Sequence, residues 1–390
     1  MTQKLFWEHP YQKEFTATIS DITEKGVLLD KTLFYPASGG QAGDKGILSF
    51  AGKKYEVKKV SDTEKGILHE LNGYKKESSH IGQEISGIID WSRRYNLMKS
   101  HTLQHLISSI ILAKTSSKTN HVSIDPDSLR IDLDTSISFD QLKEIMEEVT
   151  FNCFTSRKVK SIVLPLSEAI NDYKDIIRGT MTTEDPVRLV IIDDKDIICC
   201  GGTHLENTNE IGIFFIDYFK NGQKLKITIG NQAIIKYNAA SVNLLRAMSL
   251  LNENPSSIFK IMEKKLKEEE NTNERISNLS YLYLDLFSKT DGVISSEKGT
   301  IYYSEAPIDR KLIMSVLKIF INDAIIILKP EPAILQVYSK SENVKANELV
   351  DAFIERYGGK GGGNPKIAQC MVEYDPDDII GFVERYMNRR

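Results

Sequence analysis

The sequence predicts an α+β protein in four stretches: a small β-barrel module over residues 1–90, an α+β domain over 91–235, a helical stalk over 236–290 and a C-terminal α/β domain over 291–390. Three observations predict it. Strand-length apolar runs broken by turn residues fill the first stretch, the apolar spacing switches to a helical period after Asp90, and the last stretch alternates strand-like and helical runs. At 390 residues the chain is too long for one compact core.

With 41% hydrophobic and 27% charged residues, the composition is that of an ordinary globular protein and excludes disordered and collagen-like classes. No apolar run approaches the roughly 18 residues that a membrane-spanning helix needs, and Met1–Phe6 lacks the basic-then-apolar layout of a signal peptide. Of the four cysteines, Cys199 and Cys200 are adjacent, a poor disulfide framework that points to a reducing cytoplasm. Net charge is −4, so a nucleic-acid partner has to be met by local basic patches rather than by bulk charge.

In the first stretch, strands are expected at 16–19, 26–29, 54–57 and 85–89, with a loop over Phe34–Asp44, dense in small residues after Pro36. Asp90 is a helix N-cap, and Leu97, His101, His105, Ile110 and Ile111 recur at helical spacing behind it. Strands follow at 129–133, 159–164, 187–192 and 211–216, with a helix from Ser136. Residues 235–290 read as helical, broken near Asn252–Pro255, as a short hairpin or dimer stalk; Lys265, Glu269 and Thr272 interrupt the seam of a long coiled coil. The last stretch predicts strands at 301–303, 324–328 and 333–338, helices at 310–320 and 347–356, and a glycine loop, Gly358-Gly359-Lys360-Gly361-Gly362-Gly363, running on to Lys366.

Two pentapeptides carry chemistry. His101-Thr102-Leu103-Gln104-His105 places two imidazoles at i and i+4, on one helix face and close enough to converge on a cation; alone, it reads equally as a polar helix edge. Cys200-Gly201-Gly202-Thr203-His204 flanks a flexible turn with a thiol and a third imidazole, and alone reads equally as a β-turn with a buried thiol. Together they offer three nitrogens and one sulfur, a set that zinc accepts tetrahedrally and that magnesium and calcium do not favour.

Four features in order resemble the long form of the alanyl-tRNA editing proteins (the AlaX family), which are similar to the editing and C-terminal parts of alanyl-tRNA synthetase. They are Phe34-Tyr35-Pro36 running into Gly39-Gly40-Gln41, then Asp90-Trp91-Ser92-Arg93-Arg94 leading to His101-x-x-x-His105, then Cys200-Gly201-Gly202-Thr203-His204, and last the terminal glycine loop with Ala368-Gln369. The resemblance implies that residues 91–235 are a zinc-binding editing domain and that residues 291–390 are a DHH-associated, tRNA-binding domain. It implies a hydrolase that uses zinc (Zn2+) to cut the ester of mischarged tRNA(Ala), chiefly seryl-tRNA(Ala), with glycyl-tRNA(Ala) a second candidate. His101, His105, Cys200 and His204 would hold the metal. Thr119 would read the substrate side chain, and Gly39, Gly40 and Gln41 would line the pocket, with Gln104 at its edge. Departures from the pattern are Ser38 in place of a glycine, Gln104 in place of a smaller residue, a second thiol at Cys199, and Cys370-Met371-Val372 after Gln369.

The expected partner is tRNA(Ala), at its acceptor end and elbow. Arg93, Arg94 and Lys99 form one basic group, Arg157, Lys158 and Lys160 a second, and Lys360 and Lys366 decorate the glycine loop. There is no Walker sequence, so ATP use is not expected. A homodimer through residues 236–390 is a candidate assembly. No general base is named by the sequence, and four protein ligands leave open how water is activated. The competing reading is a zinc-stabilised tRNA-binding protein without catalysis, because structural zinc sites are also closed by four ligands.

Overall fold

The computed structural model describes residues 2–289, 294–296, 298–306, 308, 320, 322–331, 333–373 and 378–389. The chain divides into two compact units, Met1–Ala247 and Met248–Arg390.

In the first unit, a short helix α1 (Leu5–Glu8) leads into six strands, β1 (Glu14–Ile22), β2 (Gly26–Leu29), β3 (Gly46–Phe50), β4 (Lys53–Thr63), β5 (Gly66–Leu71) and β6 (Glu84–Ile89). They close a barrel in the order β1-β2-β5-β4-β3-β6. Alternation explains the closure: Phe15, Ala17 and Ile19 point inward from β1 with Thr16 and Thr18 between them, and pack on Val27, Leu48, Val57, Ile67 and Ile85. The predicted loop at 34–44 connects the short Lys31–Thr32 strand to β3, and Asp44 holds it from within by accepting the Tyr35 amide at 2.7 Å.

Beyond the barrel runs α2 (Trp91–Thr115), capped at its start by Asp90, whose carboxylate accepts the Arg93 amide at 3.1 Å. Its middle, from Ser100 to Ile111, is buried on every side. A four-stranded sheet lies against it: β7 (Thr119–Asp125), β8 (Ser128–Leu133), β12 (Phe214–Lys220) and β13 (Lys224–Ile229), in the order β12-β13-β8-β7. Leu129, Ile131, Ile227 and Ile229 of that sheet, and Ile145 and Val149 of α3 (Phe139–Phe154), share one core with α2. A smaller sheet of β9 (Val159–Leu164), β10 (Val187–Ile192) and β11 (Asp196–Cys199) leads into the Cys200 turn, with α4 (Leu166–Tyr173) between β9 and β10. Helix α5 (Asn231–Leu251) closes the unit and crosses the division at Ala247.

The second unit holds α6 (Pro255–Ser288) and a sheet that, among the described residues, has six strands: β14 (Ile294–Ser296), β15 (Gly299–Ser304), β16 (Ala324–Glu331), β17 (Ile334–Ser339), β18 (Lys360–Asn364) and β19 (Ile367–Met371). Their order is β14-β15-β16-β17-β19-β18, with only β15–β16 parallel. Helices α7 (Ala346–Tyr357) and α8 (Ile379–Arg389) contribute Leu349, Phe353 and Val383 to a core with Ile325, Ile327 and Val337.

Several expectations need correction. The helix expected from Ser136 begins at Phe139, because Ser138 and Gln141 form a reciprocal capping box (3.1 and 2.8 Å) that sets the first turn there. Residues 211–216 are not one strand: Thr208–Ile211 is a 3-10 turn, and Gly212 at φ +69° breaks the chain before β12. The glycine run Gly361–Gly363 is not a loop but the edge strand β18. A Cβ on Gly361 or Gly363 would come within 2.4 or 2.2 Å of a carbonyl on β19, so a bulkier residue is excluded from the pairing. The helix expected at 310–320 falls, except for Phe320, outside the described residues.

Arg94 is the clearest correction. It is fully buried, ion-paired to Asp44, and donates through Nη2 to the Leu33 carbonyl at 2.5 Å and through Nη1 to Pro10 at 3.2 Å. A guanidinium so enclosed cannot meet a phosphate; it joins α2 to the barrel loop. Asp44→Ala should strand that charge and lower stability by about 3–5 kcal/mol, read from urea denaturation. A change under about 1 kcal/mol would mean that the pair does not join the two modules.

Candidate metal centre

His101 and His105 lie on the face of α2 that turns toward the Cys200 turn. His101, Gln104, His105 and Ser108 form an i, i+3, i+4, i+7 stripe, all of it buried. Cys200 and His204 come from the turn that follows β11. Across this gap the four side chains His101, His105, Cys200 and His204 place one donor atom each within 4.8 Å of all the others. Cys200 Sγ stands 3.5 Å from His101 Nε2 and 3.3 Å from His204 Nε2. The three rings pack with centroids 4.3–4.8 Å apart.

Burial sets their charge. It pushes His101 down to about 3 and drives His105 and His204 well below the usual imidazole range, with neighbouring rings and Arg188 adding to the effect. Burial likewise raises the Cys200 thiol, against the pull of the Gly202 amide and Arg188. Three imidazoles that burial holds neutral, converging with one thiol, form a poor hydrogen-bonding group but a good ligand set.

Two of the three outward ring nitrogens are hydrogen-bonded. His101 Nδ1 donates to Gln41 Oε1 at 2.7 Å, His204 Nδ1 lies 3.3 Å from Thr102 Oγ1, and His105 Nδ1 faces Asp196 Oδ2 at 3.5 Å without a closer partner. Asp196 is itself gripped by Arg178 at 2.6 and 2.8 Å. The Gln41 amide oxygen can only accept, so His101 carries its proton on Nδ1 and turns an unprotonated Nε2 toward the thiol, as metal binding through Nε2 requires. In a tetrahedron with Zn–N near 2.0–2.1 Å and Zn–S near 2.3 Å, the N···S edge is about 3.6 Å, close to the two observed distances. The residues fit a tetrahedral ion. Gly202 is required for the approach: a Cβ there would meet the His101 ring at 2.2 Å.

The other predicted site residues are placed as follows. Gln41 is buried and committed: Oε1 also accepts the Thr203 amide at 3.1 Å and Nε2 donates to Thr203 Oγ1 at 2.9 Å, so it supports the ligands instead of facing an open pocket. Gly39 and Gly40 form the turn beside it at φ +57° and +81°, and the Gly40 carbonyl accepts the Ile124 amide of β7 at 2.8 Å. Thr119, half-buried at the start of β7, donates to Ser108 Oγ at 2.7 Å; Gln104 Nε2 donates to the same oxygen at 2.9 Å. That chain ties Thr119 to the stripe that carries both α2 ligands. Arg93 and Lys99 are half-buried; Arg93 donates to the Gly43 carbonyl, and the Lys99 ammonium lies over the Tyr95 ring. Gly358, Gly359, Lys360, Gly361, Gly362, Gly363 and Lys366 belong to the second unit, on and around β18. Sequence reasoning missed Thr102, Ser108, Arg178, Arg188 and Asp196. Only Ser108, seven residues after His101, carried a signal in its spacing.

Three family models match the chain: class II tRNA synthetases (A) over residues 2–93, the threonyl and alanyl tRNA synthetase second additional domain over 187–226, and the DHHA1 domain over 304–388. The second covers the turn that bears Cys200 and His204. Among curated proteins, the alanyl-tRNA editing protein AlaX-L of Pyrococcus horikoshii is 27% identical, over 97% of this chain and 97% of its own length. The chain is similar, end to end, to an alanyl-tRNA editing protein. Alanine–tRNA ligases of Sulfurisphaera tokodaii and Ignicoccus hospitalis are each 28% identical over 99% and 95% of this chain, which spans only 44% and 41% of theirs. No helix among the described residues is long and apolar enough to cross a membrane.

The carboxylate behind His105 generates a prediction. Asp196→Asn should weaken metal binding by about 10–100-fold in equilibrium competition with a chelator, since the ring loses its orienting partner. Unchanged affinity would leave Asp196 with Arg178 alone.

Proposed function

We propose that this protein is a hydrolase that deacylates mischarged tRNA(Ala), chiefly seryl-tRNA(Ala), and that it does so at a zinc centre held by His101, His105, Cys200 and His204. The observation that carries the reading is the convergence of these four donors beside a hydroxyl chain that ends at Thr119. The similarity along the whole chain to an editing protein supports it.

An ion held there would supply a Lewis acid for an ester that is already activated. The chain's own residues do the remaining work. Thr119 Oγ1 spends its proton on Ser108, which leaves its lone pairs to accept from a seryl hydroxyl. Alanine has no such proton to give, so the same contact separates the correct from the incorrect ester. An apolar pocket discriminates against an added hydroxyl by only about a hundredfold, which is why a second site that binds the hydroxyl is useful. Gln41, Thr102 and Asp196 orient the imidazoles and touch no reacting atom.

For the tRNA body, the exposed edge strand β18, with Lys360 and Lys366 on either side of its glycines, supports contact with phosphates in the second unit. Exposed apolar residues of α6, among them Phe259, Leu266, Leu279 and Leu286, support a second copy of this chain as a partner through residues 236–390. Location in the cytoplasm follows from the proposed substrate.

Metal analysis paired with deacylation of seryl-, glycyl- and alanyl-tRNA(Ala) tests the reading. His105→Ala should abolish both bound metal and seryl-tRNA(Ala) hydrolysis. Thr119→Val should keep the metal and reduce serine-over-alanine discrimination by up to about tenfold, the worth of one hydrogen bond; discrimination equal to the parent's would remove Thr119 from substrate reading. One observation favours a second reading: four protein donors already saturate a tetrahedral ion, as in structural zinc sites. Wild-type protein that carries zinc and binds tRNA(Ala) but leaves all three esters intact would establish that reading instead.

A further inference from the structure

The turn that carries Cys200 and His204 contains two consecutive glycines, the residues with the most backbone freedom to lose. Left to itself, such a turn would hold its two ligands poorly. Its three consecutive carbonyls are nevertheless all engaged, and by only two side chains. Arg188 Nη1 donates to the Cys200 carbonyl at 2.7 Å and to the Gly202 carbonyl at 2.9 Å. Trp7 Nε1 donates to the Gly201 carbonyl between them, at 2.7 Å.

Both donors are themselves fixed. Arg188 lies on β10 and is buried; among the described residues no carboxylate forms an ion pair with it, and its Nε has no partner. A guanidinium held inside a protein without a carboxylate is expensive unless its N–H groups do something else, and here they hold the turn. Trp7 projects from α1, beside Phe6, which packs edge-on against Tyr35 in the barrel core. The Arg188 guanidinium also rests 5.8 Å from the Trp7 ring centroid, so the two donors pack against each other.

We propose that Trp7 and Arg188 are positioning residues of the metal centre: by clamping the carbonyls of Cys200, Gly201 and Gly202 they hold the Cys200 thiol facing the imidazoles, and retention of the ion depends on them. The barrel thereby serves the centre without supplying a ligand. The inference rests on the metal-binding reading above, but not on the ester that is hydrolysed.

The test is the rate at which zinc-loaded protein releases its ion to excess chromogenic chelator, together with the urea midpoint of the metal-free protein. Trp7→Phe keeps an aromatic ring at this position and removes the indole N–H; it should release zinc several-fold faster than wild type. Arg188→Met should release it at least about tenfold faster, with Arg188→Lys intermediate because it keeps a charge and loses the fork. The Trp7→Phe, Arg188→Met double variant should fall short of the product of the single effects, since both act on one turn. If Arg188→Met does not fold, Trp7→Phe decides alone. Release rates within twofold of wild type would overturn the clamp while leaving the metal centre standing. Faster release matched by an equal fall in metal-free stability would overturn it too, as a general loss of structure. Wild-type protein that takes up no zinc would overturn the metal reading and this inference with it.

Discussion

The structure is organised around the mutual approach of three neutral imidazoles and one thiol inside the first unit. Such a cluster has little reason to assemble for its own sake. The unprotonated nitrogens face one another and the sulfur, and the low-dielectric surroundings keep the rings from gaining protons that would push them apart. Support lies behind the rings: the Gln41 amide and the Thr102 hydroxyl each hydrogen-bond an outward nitrogen, and the Asp196 carboxylate faces the third at 3.5 Å.

That support is drawn from separate parts of the chain. Gln41 belongs to the barrel loop, Thr102 to α2, and Asp196 to the short sheet that precedes the Cys200 turn. Tyr11, also from the barrel region, accepts the Glu206 amide at 2.9 Å and donates to Glu210, which secures the chain just after His204. The Arg94–Asp44 pair joins barrel loop to helix about two turns before His101. The barrel therefore supplies none of the four clustered donors yet fixes the elements that carry them.

Across the cluster the same helix presents Ser108 to Thr119 of β7 and Gln104 to Ser108, so the residue proposed to read the substrate is hydrogen-bonded to the helix that carries His101 and His105. A site built on a helix keeps its spacing better than one built on loops alone. The Cys200 turn is the glycine-containing, non-helical half of the centre, and it is the half to which most of the supporting hydrogen bonds go.

Local chemistry made much of this legible in the sequence. Asp90 announced the start of α2 because a side-chain oxygen there satisfies a free amide; the run Thr16-Ala17-Thr18-Ile19 announced a half-buried strand; and the i, i+4 spacing of His101 and His105 placed both rings on one face. These depend on residues a few positions apart, whose geometry the backbone period dictates. Only the tertiary structure decided that Arg94 is an internal tie, that Gln41 orients a histidine, that Asp196 and Arg188 belong to the centre, and that the terminal glycines pair as an edge strand. Each of those outcomes turns on contacts between residues far apart in the chain, and on desolvation that no local pattern encodes. A buried arginine and an exposed one look alike in a sequence, and only packing tells which has lost its water.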